Sequence, residues 1–159
     1  MTKIRPVFLV SACCLWLGSS LNGQTGSPAV SPAGGVPFFQ TLVKDARTRI
    51  TEISAAKLTT LRKEEPTLVL VDVREDNEWN NRRIVGAIHV GRGILELNIE
   101  SRVPRKSTPI VVYCQGGGRS AVAADVLGKM GYTNVSSLAG GMAAYEAAGL
   151  PVDSASLPK

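Results

Sequence analysis

The sequence predicts an α/β fold in three layers, a central and mostly parallel five-stranded sheet with helices on both faces. Two observations carry this expectation. Leu68–Val73 and Pro109–Tyr113 are near-continuous apolar runs rich in β-branched residues, the mark of strands covered on both sides. Between and around them, segments with helical spacing alternate with further strand candidates, and chains that alternate in this way build parallel sheets.

Taken in order, the first segment is not part of that sheet. Lys3 and Arg5 form a short positive region, Val7 to Leu17 run apolar, and Gly18, Ser19 and Ser20 are small. This is the pattern of a secretory signal over residues 1–20, cleaved after Ser20, and its apolar run is short for a membrane span. The chain is therefore expected to be exported, with the bacterial periplasm as its destination. Val10-Ser11-Ala12-Cys13 offers an alternative, a lipoprotein box with Cys13 acylated, and an uncleaved anchor is a third. Any membrane contact is expected through this N-terminus alone. Residues 21–37, rich in Gly, Ser and Pro and almost free of charge, read as a flexible linker. The folded domain is expected over 38–159, with its core at about 50–151.

Phe39, Leu42, Val43, Ala46 and Ile50 recur at helical spacing and suggest an amphipathic helix packed outside the sheet. Ile50–Ile53 is a short strand candidate, and Ser54 can cap a helix running to about Arg62. After the Leu68–Val73 strand comes a short helical stretch at Glu75–Asn80, then a strand at Gly86–Val90 and a helix at Ile94–Ile99. The Pro109–Tyr113 strand ends directly on Cys114. Ser120–Met130 is an Ala- and Val-rich helix stopped by Gly131, Val135–Leu138 is the last strand, and Met142–Ala148 the last helix.

Charge and cysteine content narrow the function. The net charge of +5 becomes +3 once Lys3 and Arg5 are set aside, a mildly basic domain suited to small anionic substrates. Its basic residues are scattered and few aromatics lie among them, which argues against nucleic acid as a partner. With Cys13 and Cys14 in the leader, Cys114 is the only cysteine of the domain. It cannot pair within the domain, so it is either buried and inert or kept for chemistry.

The neighbours of Cys114 decide for chemistry. Cys114-Gln115-Gly116-Gly117-Gly118-Arg119-Ser120 joins an apolar strand to a helix, where ligands of parallel α/β folds bind. Three glycines allow the backbone to curl with its N–H groups inward, a nest that favours an anion or a thiolate at a helix N-terminus. Arg119 adds a planar cationic fork. Cys114 is thus the expected nucleophile, with Gln115, Gly116, Gly117, Gly118, Arg119 and Ser120 as the expected substrate-binding loop.

This loop resembles the active-site loop of rhodanese domains, which runs Cys, four residues, Arg. The resemblance spans about Ile50 to Pro151. Val71-Asp72-Val73-Arg74-Glu75 with Glu78-Trp79 is similar to the family's first signature, and Gly86-Ala87-Ile88-His89-Val90 to its second. Leu138-Ala139-Gly140-Gly141-Met142 and Gly149-Leu150-Pro151 are similar to its closing segment. The resemblance implies a rhodanese-like fold and a monomeric enzyme without metal or organic cofactor. Its reaction would move sulfane sulfur from a small anionic donor such as thiosulfate, through a Cys114 persulfide, to a thiophilic acceptor such as cyanide or a thiol.

Loop length bears on substrate. Within the superfamily a six-residue loop, Cys to Arg inclusive, goes with sulfur transfer, and one residue more goes with phosphatases and arsenate reductases. Cys114 to Arg119 is six. The other alternative is a non-catalytic module that binds an anion or a protein. Where the family's second signature often has His-Ile-Pro-Gly-Ala, this chain has Arg83-Ile84-Val85-Gly86-Ala87, so that histidine's role has no heir. His89, the only histidine, is expected to order the sheet edge rather than act as a base. Asp72 and Arg74, at a strand end, are expected to support the loop through a charge-assisted hydrogen bond. Glu75 and Glu78 read as a first-turn helix charge and a solvated residue, and Trp79 as core. Tyr145 is expected in the packing place where the family often has Trp.

Overall fold

A computed structural model of the chain describes residues 38–154, so the expected signal, linker and Cys13 lipid site lie outside the described residues. The elements run α1 (Phe38–Arg47), β1 (Thr51–Ile53), α2 (Ala55–Glu64), β2 (Val69–Asp72), α3 (Asp76–Asn81), β3 (Arg83–Ile84) and β4 (Ile88–His89). A 3₁₀ turn at Arg92–Ile94 follows, then α4 (Leu95–Arg102), β5 (Ile110–Tyr113), α5 (Gly118–Lys129), β6 (Val135–Leu138), α6 (Gly141–Ala147) and β7 (Val152–Asp153).

Five strands form one sheet in the order β1-β6-β5-β2-β4, and every pairing in it is parallel. The apolar runs seen in the sequence are its centre, β5 and β2. Side-chain alternation along them builds two cores. Val71, Val73, Ile110, Val112 and Cys114 point to the layer that holds Leu95 and Ile99 of α4 and Ala123, Ala124 and Leu127 of α5. Leu70, Val111 and Tyr113 point to the opposite layer, with Leu58 of α2 and Met142 and Tyr145 of α6.

Local chemistry sets the helix ends. Ser54 caps α2, its Oγ accepting from the Lys57 N–H at 3.2 Å. Past the end of α5, the Tyr132 N–H reaches the Leu127 carbonyl at 3.1 Å and the Gly131 N–H reaches Gly128 at 3.0 Å, a turn that closes the helix.

The structure corrects two expectations and adds an element the sequence did not suggest. α1 does pack outside the sheet, on α5, but only Val43 and Ala46 of its stripe are buried, whereas Phe39 and Leu42 remain about half exposed. Arg49, just past α1, bonds Asp125 of α5 at 2.8 Å, so an ion pair supplies part of the docking that the apolar stripe was expected to supply. Trp79 is not core. It is half-buried on α3, a polar helix with no buried residue, and packs against the stacked His89 ring at 5.0 Å and the Arg83 guanidinium at 4.8 Å. Finally, β3 and β7 pair antiparallel in a second, two-stranded sheet, to which Arg83 and Asp153 add a 3.0 Å ion pair.

Candidate active site

Cys114 follows β5 directly and is buried, 2% exposed. Its Sγ accepts a hydrogen bond from the Gly117 N–H at 3.2 Å. That contact needs the loop to turn back on itself within three residues, and Gly117 allows it by adopting a φ of +88°, where a side chain would be strained. Gly117 is also the N-cap of α5, so the sulfur sits at the start of this twelve-residue helix. The first N–H groups of a helix lack intrahelical partners, which leaves those of Gly118 and Arg119 as donors facing the same end.

The loop is held from behind by α6. The Met142 N–H donates to the Cys114 carbonyl at 2.8 Å and the Ala143 N–H to the Gln115 carbonyl at 3.1 Å. These bonds tie the Cys114 and Gln115 carbonyls to α6, while the Gly117 N–H points at the sulfur. Gly141 makes the approach feasible: a Cβ there would collide with the Cys114 carbonyl. The closing Gly140-Gly141 segment is thus the rear wall of the loop, a function its sequence alone does not express. Ser120, expected to meet substrate, is fully buried. Its hydroxyl donates to the Gly117 carbonyl at 3.1 Å and accepts from Ser137 at 3.0 Å, which puts its side chain beneath the loop. Gln115 and Gly116 are exposed, and nothing crowds Gly116.

Two arginine–carboxylate pairs flank this loop. Arg74 is buried with Asp72, its Nε lying 3.0 Å from both carboxylate oxygens and one terminal nitrogen 2.7 Å from Oδ2. The same terminal nitrogen donates to the Arg82 carbonyl, and the other lies 3.5 Å from the Gln115 side-chain oxygen. Burial works against the Arg74 charge, but the Asp72 carboxylate outweighs it and leaves the guanidinium more basic than usual. His89 Nε2 lies 2.9 Å from the Arg74 carbonyl on the edge strand β4, so its ring ties β4 to the same turn.

Arg119 departs from the expectation drawn for it. Both of its terminal nitrogens engage Glu78 in a bidentate fork, at 2.7 and 2.8 Å, and Glu75 lies 3.6 Å away. Glu78, read in the sequence as solvated, is held in place by a capping box in which its carboxylate accepts from the Glu75 N–H at 3.1 Å. The Glu78 hydrogen bonds, then the charges of Glu78, Cys114 and Glu75, raise the Arg119 pKa against the cost of burial. Arg119 in turn holds the Glu78 carboxyl below its ordinary range. The signal was present in the sequence as the Glu75/Glu78 spacing, but nothing in it named a partner forty-one residues away.

Beyond Glu75 a groove of about 460 Å³ is lined by Glu75, Asp76, Asn77, Gly91, Gly93 and Ile94. A second cavity, about 380 Å³, lies far from Cys114, at the strand ends where β1 and β6 begin, with its Arg49, Lys129 and Asp125 paired among themselves. Among the described residues no three His, Cys, Asp or Glu side chains converge as a metal set would.

Comparison with known proteins gives this arrangement relatives. A family model described as Rhodanese-like domain matches residues 54–148. The thiosulfate sulfurtransferase PspE of Escherichia coli (strain K12) is 35% identical over 70 residues, 44% of this chain and 67% of that protein. A sulfurtransferase of Allochromatium vinosum is 30% identical over 103 residues, 65% of this chain and 94% of that one. Among solved structures, a protein of unknown function and possible tyrosine phosphatase from Rhodopseudomonas palustris CGA009 superposes with a TM-score of 0.65. It is 29% identical, and the match covers 77% of this chain and 99% of that chain.

Proposed function

From the premise that the chain belongs to the rhodanese-like domain family, we propose that it carries sulfane sulfur on Cys114, from thiosulfate or a similar donor to cyanide or a thiol. Its relatives support a rhodanese-type sulfurtransferase in general. The observation that carries the proposal is the 3.2 Å hydrogen bond from the Gly117 N–H to Cys114 Sγ, at the head of α5. A donor aimed at sulfur stabilises negative charge there, which is what a thiolate nucleophile and a bound persulfide both need.

In the first step the Cys114 thiolate attacks the outer sulfur of thiosulfate. The Sγ–S bond forms, the S–S bond of thiosulfate breaks, and sulfite leaves with the bonding electron pair. The anionic persulfide then occupies the space bounded by the free N–H groups of Gly118 and Arg119. In the second step cyanide or a thiolate takes the outer sulfur, returning the Cys114 thiolate. No proton need be moved by a side chain in the first step, so the lack of a histidine beside Cys114 is no obstacle. The Rhodopseudomonas relative raises a phosphatase reading, but the loop from Cys114 to Arg119 spans six residues, the length that in this superfamily goes with sulfur rather than a tetrahedral phosphate.

Intact-protein mass spectrometry before and after thiosulfate tests the reading. The expected result is a gain of one sulfur atom, discharged by cyanide and absent from Cys114→Ser. A reduced protein that gains no sulfur from any sulfane donor would sink the proposal.

A further inference from the structure

The pairing of Arg119 bears on which donor the loop accepts. Its two terminal nitrogens are the groups that would grip an oxyanion, and both are already on Glu78. Glu78 cannot easily swing away, because its carboxylate also closes the capping box of α3. Glu75 adds a second carboxylate 3.6 Å from the same guanidinium. Arg74, the other cation at the loop, is matched by Asp72. Around the Cys114 loop, two arginines therefore face three carboxylates, before the thiolate itself is counted.

Building on the sulfurtransferase reading, we infer that Glu78 is a specificity-determining residue that disfavours dianionic sulfane donors and favours hydropersulfides, RS–SH, whose reacting group carries at most one charge. A dianion entering this loop meets a thiolate and an arginine whose charge is already spent on Glu78. Thiosulfate must either displace Glu78 or bind through backbone N–H groups alone. A hydropersulfide needs no such displacement. Its transfer balances without a further reagent: the Cys114 thiolate bonds to the outer sulfur, the S–S bond of the donor breaks, and RS⁻ leaves while the proton stays on the new persulfide or passes to water. The exposed Gln115 and Gly116, with no bulk at position 116, leave room for the R group.

The test compares Cys114 persulfide formation from thiosulfate and from a hydropersulfide whose alkyl group is uncharged, in the unmodified chain and in Glu78→Gln. Glutamine keeps the shape and still accepts from the Glu75 N–H, so the cap survives while the charge goes. The half-saturating thiosulfate concentration is expected to fall roughly tenfold in Glu78→Gln, and that for the hydropersulfide to move less than about twofold. High salt should shrink the contrast between the donors in the unmodified chain. Glu75→Gln, which leaves the fork intact, should move thiosulfate in the same direction by less, and carries the test if Glu78→Gln folds poorly. An equal shift for both donors, or a fall in limiting rate with both, would mean that Glu78 only positions Arg119, and would overturn the inference while leaving the sulfurtransferase reading intact. Failure of both donors to load sulfur on the unmodified chain would overturn that reading, and the inference with it.

Discussion

The two arginine–carboxylate pairs beside Cys114 are made of the same chemistry and put to different uses. Asp72 and Arg74 are 0% and 3% exposed through their side chains, two residues apart on one turn. Glu78 and Arg119 are 24% and 30% exposed and join two different segments of chain. Removing water raises the stakes of the first pair. Neither member can lose the other without leaving an isolated charge in a low-dielectric surrounding. The second pair keeps partial access to water, so protonating Glu78 or removing either charge costs the fold little. Burial, rather than the identity of the residues, separates a fixed brace from an adjustable charge.

Asp72→Ala should break the comparison most visibly. It strands the Arg74 guanidinium among β2, β3 and the loop, and a loss of about 3–5 kcal/mol is expected in denaturant unfolding. Sulfur transfer should fall with it, since Arg74 also reaches Gln115 and the Arg82 carbonyl. A loss under about 1 kcal/mol would show that the buried pair is dispensable, and the distinction between the two pairs would collapse.

Arg119→Lys should give the opposite profile, with little change in stability and a clear change in function. Lysine keeps the charge but cannot form the fork with Glu78. Thiosulfate turnover is expected to drop by about tenfold. That is less than the roughly 10²–10³ typical of losing a fully engaged oxyanion donor, because Glu78 already takes much of the guanidinium. Steady-state kinetics with matched thermal melts reads both quantities. A stability loss as large as that of Asp72→Ala would place Arg119 with the structural pair.

The same contrast governs what the sequence disclosed. β2 and β5 were legible because strands covered on both faces must be apolar throughout, and the Ser54 cap because its chemistry is local. The Cys114 loop announced itself through three glycines and an arginine at a strand end. The β3–β7 ribbon was not legible: each strand has two residues, and they pair across about seventy positions with no periodicity to mark them. Trp79 misled because a large aromatic suggests core, whereas here its ring packs against a histidine and an arginine. The Glu78–Arg119 fork was hidden for a different reason. Each residue had a sufficient local explanation, and only the tertiary fold brings them to 2.7 Å. Gly141 was visible as part of a motif, but its reason, the close approach of Cys114, exists only in three dimensions.

Acid should sharpen the comparison by the smallest step. The hydrogen bonds from Arg119 hold the Glu78 carboxyl below its ordinary value of 4.5, so folding favours its ionised form. A depressed carboxylate contributes stability that is fully present above the unfolded pKa and is lost as the pH falls through the folded one. The window therefore opens near pH 4.5 and extends downward. Thermal melts of the unmodified chain and Glu78→Gln should differ by about 0.5–1 kcal/mol near neutrality and converge as Glu78 protonates. Asp125, which Arg49 and then Lys129 hold at about 2, titrates lower and is common to both proteins, so it cancels from their difference. A margin that persists unchanged through this window would mean that the charge of Glu78 contributes nothing to it, and that the difference lies in how an amide and a carboxyl fit against Arg119.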